Sequence, residues 1–484
     1  MRKQLALLAV CLGYLMVIVD VTIVNVALSS IDRDLGGGIG ALQWVLDAYT
    51  IVFAGLLLSA GSLGDRIGAK RCFNAGLIVF TVASALCALA PSVPALVGAR
   101  LAQGVGAALL VPSSLSLLRA AYDQPSQRAR AVGIWGGVAG VGAASGPVLG
   151  GVLVGLLGWR AVFVVNVPIG IVAFVLAARY LPNPRGSRAD GFDPRGQVLG
   201  ILSLTLLTLG LIDGGQEGWS SVMTIIPLVA FIGVAIAFVA VERTTQDAML
   251  PLSLFRSRTF SGASFVGLAI NLGFYGQLFA ISLYFEHVRG FSALQTGLAL
   301  LPEGVFVALG AVLSGRVTAR TGPRLPMLIG LLCGAAGFAG LTVAGSQTSY
   351  AVLVAPLVAA GFGMAFTMPA ATAAIIESAP ARRAGIASGV LNASRQTGGA
   401  IGVALLGTLL AGSGFVPGLH VAMAISAAAF LLGAVATVLT VGRAGHDPGV
   451  HIMERHEFGF GTRIQRRPWG LSPRSDALAA RRRT

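Results

Sequence analysis

The stretch of sequence that decides the fold is Gly142-Ala-Ala-Ser-Gly146-Pro147-Val-Leu-Gly150-Gly151. It lies within an apolar segment, roughly 131–157, which is long enough to cross a bilayer at about 1.5 Å per helical residue. Each glycine would cost a soluble helix about 1 kcal/mol relative to alanine, whereas in lipid small residues four apart let two helix backbones touch. The pattern therefore predicts a membrane-spanning helix whose small residues form a packing seam, and the rest of the chain decides whether the seam has a further role.

The composition of the whole chain indicates a membrane protein. Its 484 residues are 55% hydrophobic and only 11% charged, against about 25% charged residues in soluble domains. The net charge of +15 is therefore not interpreted as a nucleic-acid footprint. The four cysteines have no metal-ligand spacing, so we expect free thiols, no metal site and no cofactor.

Fourteen hydrophobic runs are long enough to be predicted as spanning helices. They lie near 4–28, 41–62, 72–91, 95–118, 131–157, 160–181, 196–213, 222–241, 260–285, 296–318, 325–345, 350–375, 385–410 and 420–441. With the N-terminus inside, the predicted inner segments before the tail hold 20 of the 34 Lys and Arg residues, and the outer loops hold three. The positive-inside rule then places both termini in the cytoplasm.

An internal repeat predicts two related halves. Two segments match at four positions with a constant offset of 254 residues: Gly61 with Gly315, Arg66 with Arg320, Gly68 with Gly322, and Lys70 with Arg324. We expect an N-terminal six-helix half at 1–181, a linker with two extra spanning helices at 182–255, and a C-terminal half at 256–442. A basic, disordered cytoplasmic tail is predicted at 443–484. Duplicated halves are typical of alternating-access transporters.

Six motifs in order resemble the major facilitator superfamily, in its fourteen-spanner branch of drug:proton antiporters. They are Asp20-Val-Thr-Ile-Val-Asn25, Gly61 to Arg71, Arg100-Leu-Ala-Gln-Gly104-Val-Gly106, Gly142 to Gly151, Trp159 to Gly170, and Asn392 to Gly399. The resemblance implies an all-α integral membrane fold of two six-helix halves plus two inserted helices. It also implies a multi-pass cell-membrane transporter, not an enzyme, that exports hydrophobic or cationic drugs such as antibiotics in exchange for protons. Asp47, Glu286 and Glu303 depart from the branch's usual pattern.

Three ionisable residues are predicted to lie in the outer part of the membrane. Measured from the predicted span ends, Asp20 is about 13 Å deep, Asp47 about 9 Å and Arg100 about 8–10 Å. A charge at the bilayer centre costs about 2.5–3.5 kcal/mol, so such residues are functional candidates. Asp20, tuned by Arg100 and with Asp47 as a further candidate, is predicted to be a proton switch. The alternative is a static Asp–Arg pair that only joins helices.

Other polar residues in the spans are candidates for substrate contact. Gln43 and Asp47 share one helical face, which would line a wet cavity or pack against another helix. Arg395, next to Gln396 in the thirteenth span, must meet an acid, carbonyl groups or water; substrate contact and structural pairing remain alternatives. Glu303 is a candidate for a substrate cation or a proton.

The segment after the second span is predicted to be a short cytoplasmic loop. The resemblance implies that its residues gate the inner side of the transporter: Gly61, Asp65, Arg66, Gly68 and Arg71. Asn25 and Asn166 are predicted to make hydrogen bonds between helices.

The sequence also indicates which energy sources could drive transport. Lys3 and Lys70 are the only lysines, and neither follows the glycine pattern of a phosphate-binding loop. Transport is therefore expected to depend on an ion gradient or on the substrate's own gradient. The leading hypothesis is proton-coupled export, with a small molecule, protons and the lipid bilayer as partners and no nucleic acid. The alternatives are a proton-linked carrier for one specific metabolite, or a receptor that kept the fold.

Overall fold

The computed structural model describes residues 2–122, 124–182, 193–245, 248, 250–379, 384–411 and 414–442. The predicted tail at 443–484 lies outside the described residues. The described part forms one compact unit whose regular elements are all helical.

Seventeen α-helices occur in the described ranges. They are α1 Arg2–Ile23, α2 Leu28–Leu35, α3 Gly38–Ile67, α4 Ala69–Ala88, α5 Val93–Ala121, α6 Pro125–Leu157, α7 Ala161–Val164, α8 Asn166–Tyr180, α9 Pro194–Gln216, α10 Val222–Thr244, α11 Arg258–Leu283, α12 Ala293–Ala299, α13 Leu301–Thr321, α14 Arg324–Leu341, α15 Tyr350–Glu377, α16 Ala384–Ala411 and α17 Phe415–Thr440. A 3₁₀ turn, Val24–Ala27, joins α1 to α2, and a π turn, Tyr284–Val288, follows α11.

Among the described residues, thirteen helical runs are long and apolar enough to cross a membrane. The one remaining predicted span, the thirteenth at 385–410, is present as α16, 28 residues long, but its polar residues lower its hydropathy. Arg395 and Gln396 lie in this helix, and it packs between α3 and α11, so protein covers much of its polar surface. The prediction of an all-α, multi-pass membrane protein is confirmed. Within the described residues, none of the four cysteines forms a disulfide bond, which agrees with the expected thiols.

Two predicted boundaries near the N-terminus are wrong. The first helical run extends from Lys3 to Leu35, because the polar residues after position 28 are partly buried against protein and stay helical. Asp20 therefore lies near the middle of this run, farther from its outer end than the predicted span placed it. The predicted loop from Gly61 is also helical as far as Ile67, and the chain turns only at Gly68, where φ is 97°.

The two inserted helices are present as α9 and α10. They pack against each other, and α9 also contacts α3 and α16. Only 11% of the most apolar window of α10 is buried inside the protein, so α10 presents most of its surface to lipid. The domain boundaries at 181, 255 and 442 remain predictions from the sequence.

Candidate functional site

Asp20 is the centre of a fully buried polar network. Arg100 forms an ion pair with Asp20 Oδ2 through Nη1. The other oxygen, Oδ1, accepts hydrogen bonds from Gln103 Nε2 at 2.8 Å and from Asn166 Nδ2 at 3.3 Å. Relative exposure is 0% for Asp20 and 1% for Arg100, so the pair is screened from solvent. The predicted Asp20–Arg100 partnership and the interhelical bond of Asn166 are therefore present.

The guanidinium group of Arg100 is held on several sides. Its Nε donates to the carbonyl oxygen of Val45 on α3 at 2.9 Å, and Nη1 also donates to Gln103 Oε1 at 2.7 Å. The group lies 4.4 Å from the centroid of the Tyr49 ring, a cation–π distance. Arg100 thus links α1, α3 and α5. A change in the charge of Asp20 would therefore alter contacts that involve all three helices.

Two members of the network were not predicted. Gln103 lies three residues after Arg100, on the same face of α5, so helical spacing could have identified it. Gln103 Nε2 also donates to Ser84 Oγ on α4 at 2.9 Å. A single serine in an apolar helix carried no sequence signal of this role.

Asp47 does not join this network. It is fully buried, and neither carboxylate oxygen has a hydrogen-bond partner among the described residues. Gln43, one turn earlier on α3, donates to the carbonyl oxygens of Val403 at 3.1 Å and Ala404 at 2.7 Å. The face of α3 at Gln43 therefore packs against α16, which is the packing alternative for this residue.

In the described part of the chain, the guanidinium group of Arg395 donates hydrogen bonds to side-chain amide oxygens and forms no ion pair with an acid. Its Nη1 donates to Asn392 Oδ1 at 3.1 Å and its Nε to Asn271 Oδ1 at 3.5 Å. Asn25, by contrast, donates within its own helical run to Val21 O at 3.0 Å, so its predicted interhelical bond is not formed. Amides of α11 and α16 can thus hold a charge in a spanning segment without an ion pair.

A cavity of about 20 Å³ lies between helices of the two predicted halves. Its lining comes from α1, the 3₁₀ turn, α3 and α5 on one side and from α11 and α16 on the other: Val21, Asn25, Leu46, Tyr49, Thr50, Arg100, Tyr275, Gln396, Gly399 and Val403. This volume is enough for a water molecule. Arg100 therefore separates the buried Asp20 from a space that water can occupy, and Gln396 faces the same space.

Glu303 forms a second buried polar site, on α13. It is 2% exposed, and its Oε2 accepts a hydrogen bond from Gln277 Nε2 on α11 at 3.4 Å. Its Oε1 has no partner within the described ranges. The carboxylate is thus placed against an amide, with no cation beside it in the described structure.

The glycine stretch in α6 packs against α1 next to Asp20. A Cβ at Gly146 or Gly150 would clash with α1, at Thr22 Oγ1 in the first case and 2.8 Å from Ile23 O in the second. A Cβ at Gly142 would make a tight contact with Leu15 at 3.1 Å. A second face of α6 meets α12, where a Cβ at Gly151 would be 2.6 Å from Ala293 O. The Pro147 carbonyl is also in close contact with Gly297 of α12. The packing seam is therefore present, and it borders the helix that carries Asp20.

Contacts of α6 with α12 and α13 are confined to one part of the helix. An added Cβ at Gly140 would still be 3.6 Å from Ala308 on α13, whereas one at Gly133, Gly136 or Gly137 would meet no described atom of another helix within 4 Å. The contacts from residue 140 to 151 lie toward the predicted outer side.

A substitution at Gly150 should test the importance of the seam. Gly150→Ala is expected to destabilise the protein by about 1–3 kcal/mol, because the new methyl group meets the backbone of α1 and forces helices apart. The Tm and the transport rate of the purified protein should both fall. Gly137→Ala on the same helix is the matched control and should leave both nearly unchanged; equal behaviour of the two variants would contradict the account.

The residues predicted to gate the inner side lie at the α3–α4 turn. Gly61 and Arg66 are on α3, Arg71 is in the first turn of α4, and the side chain of Asp65 lies outside the described set. Lys70, not predicted to take part, donates from Nζ to Ala178 O at 2.8 Å, beside the end of α8. The gating role itself stays a prediction.

Comparison with known proteins identifies the family. Residues 10–403 match the model of the Major Facilitator Superfamily. The chain belongs to this family. It is therefore a member of a family of transporters rather than of enzymes, as the motifs predicted.

Relatives of this major facilitator include named resistance proteins. The methylenomycin A resistance protein of Streptomyces coelicolor is 37% identical over 404 residues, covering 83% of this chain and 84% of that protein. The multidrug resistance protein Stp of Mycobacterium tuberculosis is 39% identical over 410 residues, covering 84% of this chain and 76% of that protein. A bacterial homologue of the lysosomal transporter Spinster, solved in an inward-facing, unoccupied conformation, is similar in fold. Its TM-score is 0.65 at 18% identity, covering 91% of this chain and 97% of that one.

Proposed function

We propose that this major facilitator exports hydrophobic or cationic small molecules, antibiotics among them, in exchange for protons carried by Asp20. The observation that carries the proposal is the fully buried Asp20–Arg100 pair, with Arg100 in the wall of a cavity between the predicted halves. The names of the relatives, which are resistance proteins for methylenomycin A and for multiple drugs, support export of such molecules.

The surroundings of Asp20 suit its ionised form. Arg100, Gln103 and Asn166 all direct donor groups at its two oxygens, and an ionised carboxylate only accepts hydrogen bonds. A proton on Asp20 would meet a donor instead of an acceptor and would leave Arg100 buried without its counter-charge. Protonation therefore disfavours the described conformation and shifts the population toward another. Because its donors suit an ionised Asp20, we assign this conformation to the state after proton release.

Arg100 is the proposed link between proton and substrate. Its guanidinium group contacts both Asp20 and the cavity, so its position responds to proton loading on one side and to an occupant on the other. Gln396 and Arg395 on α16 are proposed to contact the substrate, and Glu303 to attract its cationic part. Asp47 and Gln43 are proposed to hold α3 against α16.

Ethidium uptake into everted membrane vesicles tests the proposal, since the cytoplasmic face then lies outside. An acidic lumen should drive uptake, and a protonophore should abolish it. Glu303→Gln should lower the uptake of this cation several-fold while leaving that of a neutral antibiotic unchanged. Uptake that ignores the proton gradient would contradict the coupling. If no lipophilic cation or antibiotic is moved, a carrier for one specific metabolite becomes the better account.

A further inference from the structure

Two carboxylates meet at the predicted cytoplasmic end of the α9–α10 pair, far along the chain from Asp20. Asp193 is the N-cap of α9, where its Oδ1 accepts a hydrogen bond from Gly196 N at 2.8 Å. Glu242 lies in the last turn of α10, and its Oε2 accepts a hydrogen bond from Leu250 N at 2.8 Å. Asp193 thus uses one oxygen to cap α9, and Glu242 uses one oxygen to hold the segment that follows α10.

The other oxygen of each carboxylate faces the same small space. Asp193 Oδ2 and Glu242 Oε1 are both 2.5 Å from the position that a Cβ on Gly196 would occupy. The glycine leaves this space open. Asp193 is 5% exposed and Glu242 is 4% exposed, and neither of these oxygens has a hydrogen-bond partner within the described part of the chain.

Among the described residues, the charged groups nearby do not neutralise the pair. Arg195 on α9, Arg243 on α10 and Arg256 in the segment before α11 are all exposed, and none forms an ion pair with either carboxylate in the described structure. On the side facing α3, the contact is neutral, because Gln197 Nε2 donates to Gly55 O at 2.5 Å. Within the described ranges, the space between the two carboxylates therefore contains acceptors and no donor.

Two ionised carboxylates whose oxygens face the same small space repel each other, and burial strengthens the repulsion. The N-terminus of α9 favours one negative charge at Asp193, but not two. A divalent cation would need six or more oxygen ligands, mostly water here, and both side chains are at least 95% buried. A single proton needs only the two oxygens that are present.

We propose that Asp193 and Glu242 share one proton, with Oε1 of Glu242 donating to Oδ2 of Asp193. This acid–carboxylate pair is a proton-binding site separate from Asp20. It joins the ends of α9 and α10 to the segment that enters α11, and it opens when the proton is lost at alkaline cytoplasmic pH. The inference stands whether or not the chain exports drugs.

The sign of the pH dependence follows from proton counting. In the unfolded chain a glutamate has lost its proton above about pH 5, whereas the folded pair still holds one. The folded state then binds more protons than the unfolded state, so the free energy of unfolding falls as pH rises. This loss continues until the pair itself releases its proton.

Thermal unfolding of the full-length protein in detergent, measured between pH 6 and pH 9, tests the inference. In Glu242→Gln the amide donates to Asp193 without a titrating proton, so its Tm should gain on the wild type by about 1–2 °C per pH unit. Glu217→Gln, an exposed acid at the other end of α9, is the matched control and should follow the wild type. Infrared difference spectra should show one protonated carboxyl group that is present in the wild type and lost in Glu242→Gln.

Parallel Tm curves for the wild type and Glu242→Gln, with no infrared difference, would overturn the inference. A rise in wild-type Tm with millimolar Mg²⁺ or Ca²⁺ that disappears in Glu242→Gln would also overturn it, by showing a metal site. If Glu242→Gln does not fold, Asp193→Asn, which keeps an N-capping side chain, is expected to remove the same pH dependence.

Discussion

Asp20→Asn is expected to remove proton-driven accumulation of substrate. A gradient of one pH unit supplies about 1.4 kcal/mol per proton, which sustains about tenfold accumulation of a substrate exchanged for one proton. Without an ionisable group at position 20 the substrate would only equilibrate, so the accumulation ratio should fall from about ten to one. Uptake of ethidium into everted vesicles with an acidic lumen measures this ratio directly.

Asp34→Asn is the matched control for this loss of a carboxylate. Asp34 is an exposed acid on α2 whose side chain pairs with Arg160 at 3.5 Å, outside the buried network. Its substitution should leave the accumulation ratio unchanged. Full accumulation by Asp20→Asn would show that the Asp20–Arg100 pair only joins helices.

Arg100→Ala is expected to have the larger effect on stability. Removing one partner of a buried ion pair leaves an uncompensated charge and costs about 3–5 kcal/mol. The variant also loses the contacts of the guanidinium group with Val45 and Tyr49. We expect a marked fall in Tm and no measurable transport.

The double variant Asp20→Asn/Arg100→Ala separates folding from coupling. It leaves no unpaired charge at positions 20 and 100, so its Tm should recover part of the loss seen in Arg100→Ala. Proton-driven transport should not recover, because the proton carrier is still missing. A double variant that is no more stable than Arg100→Ala would show that the two residues do not interact in the way the structure indicates.

The Asp20–Arg100 partnership could be predicted from the sequence because charges within a spanning segment need partners or water. Asp47 met the same criterion, yet the structure places it outside the network. Its depth could be estimated from the sequence, but the rotation of α3 relative to α1 and α16 could not. Gln43 illustrates the same limit, since its bonds to α16 depend on how helices distant in sequence pack.

The ends of helices were the second feature that the sequence predicted poorly. Hydropathy identifies the apolar part of a helix, so it missed the mostly polar residues from 28 to 35 and the extension of α3 to Ile67. Both extensions hold polar or small residues, whose helical state depends on neighbouring protein rather than on lipid. The pairing of Asp193 with Glu242 was also beyond reach, because it requires the ends of two helices to meet.

The most direct test of proton coupling is a proton-flux measurement on the purified protein in liposomes that contain a pH-sensitive dye. Candidate lipophilic cations and antibiotics would be added to the wild type and to Asp20→Asn. The account predicts that substrate addition moves protons through the wild type and that this movement is absent in the variant. Substrate flux through the wild type without any proton movement would contradict it.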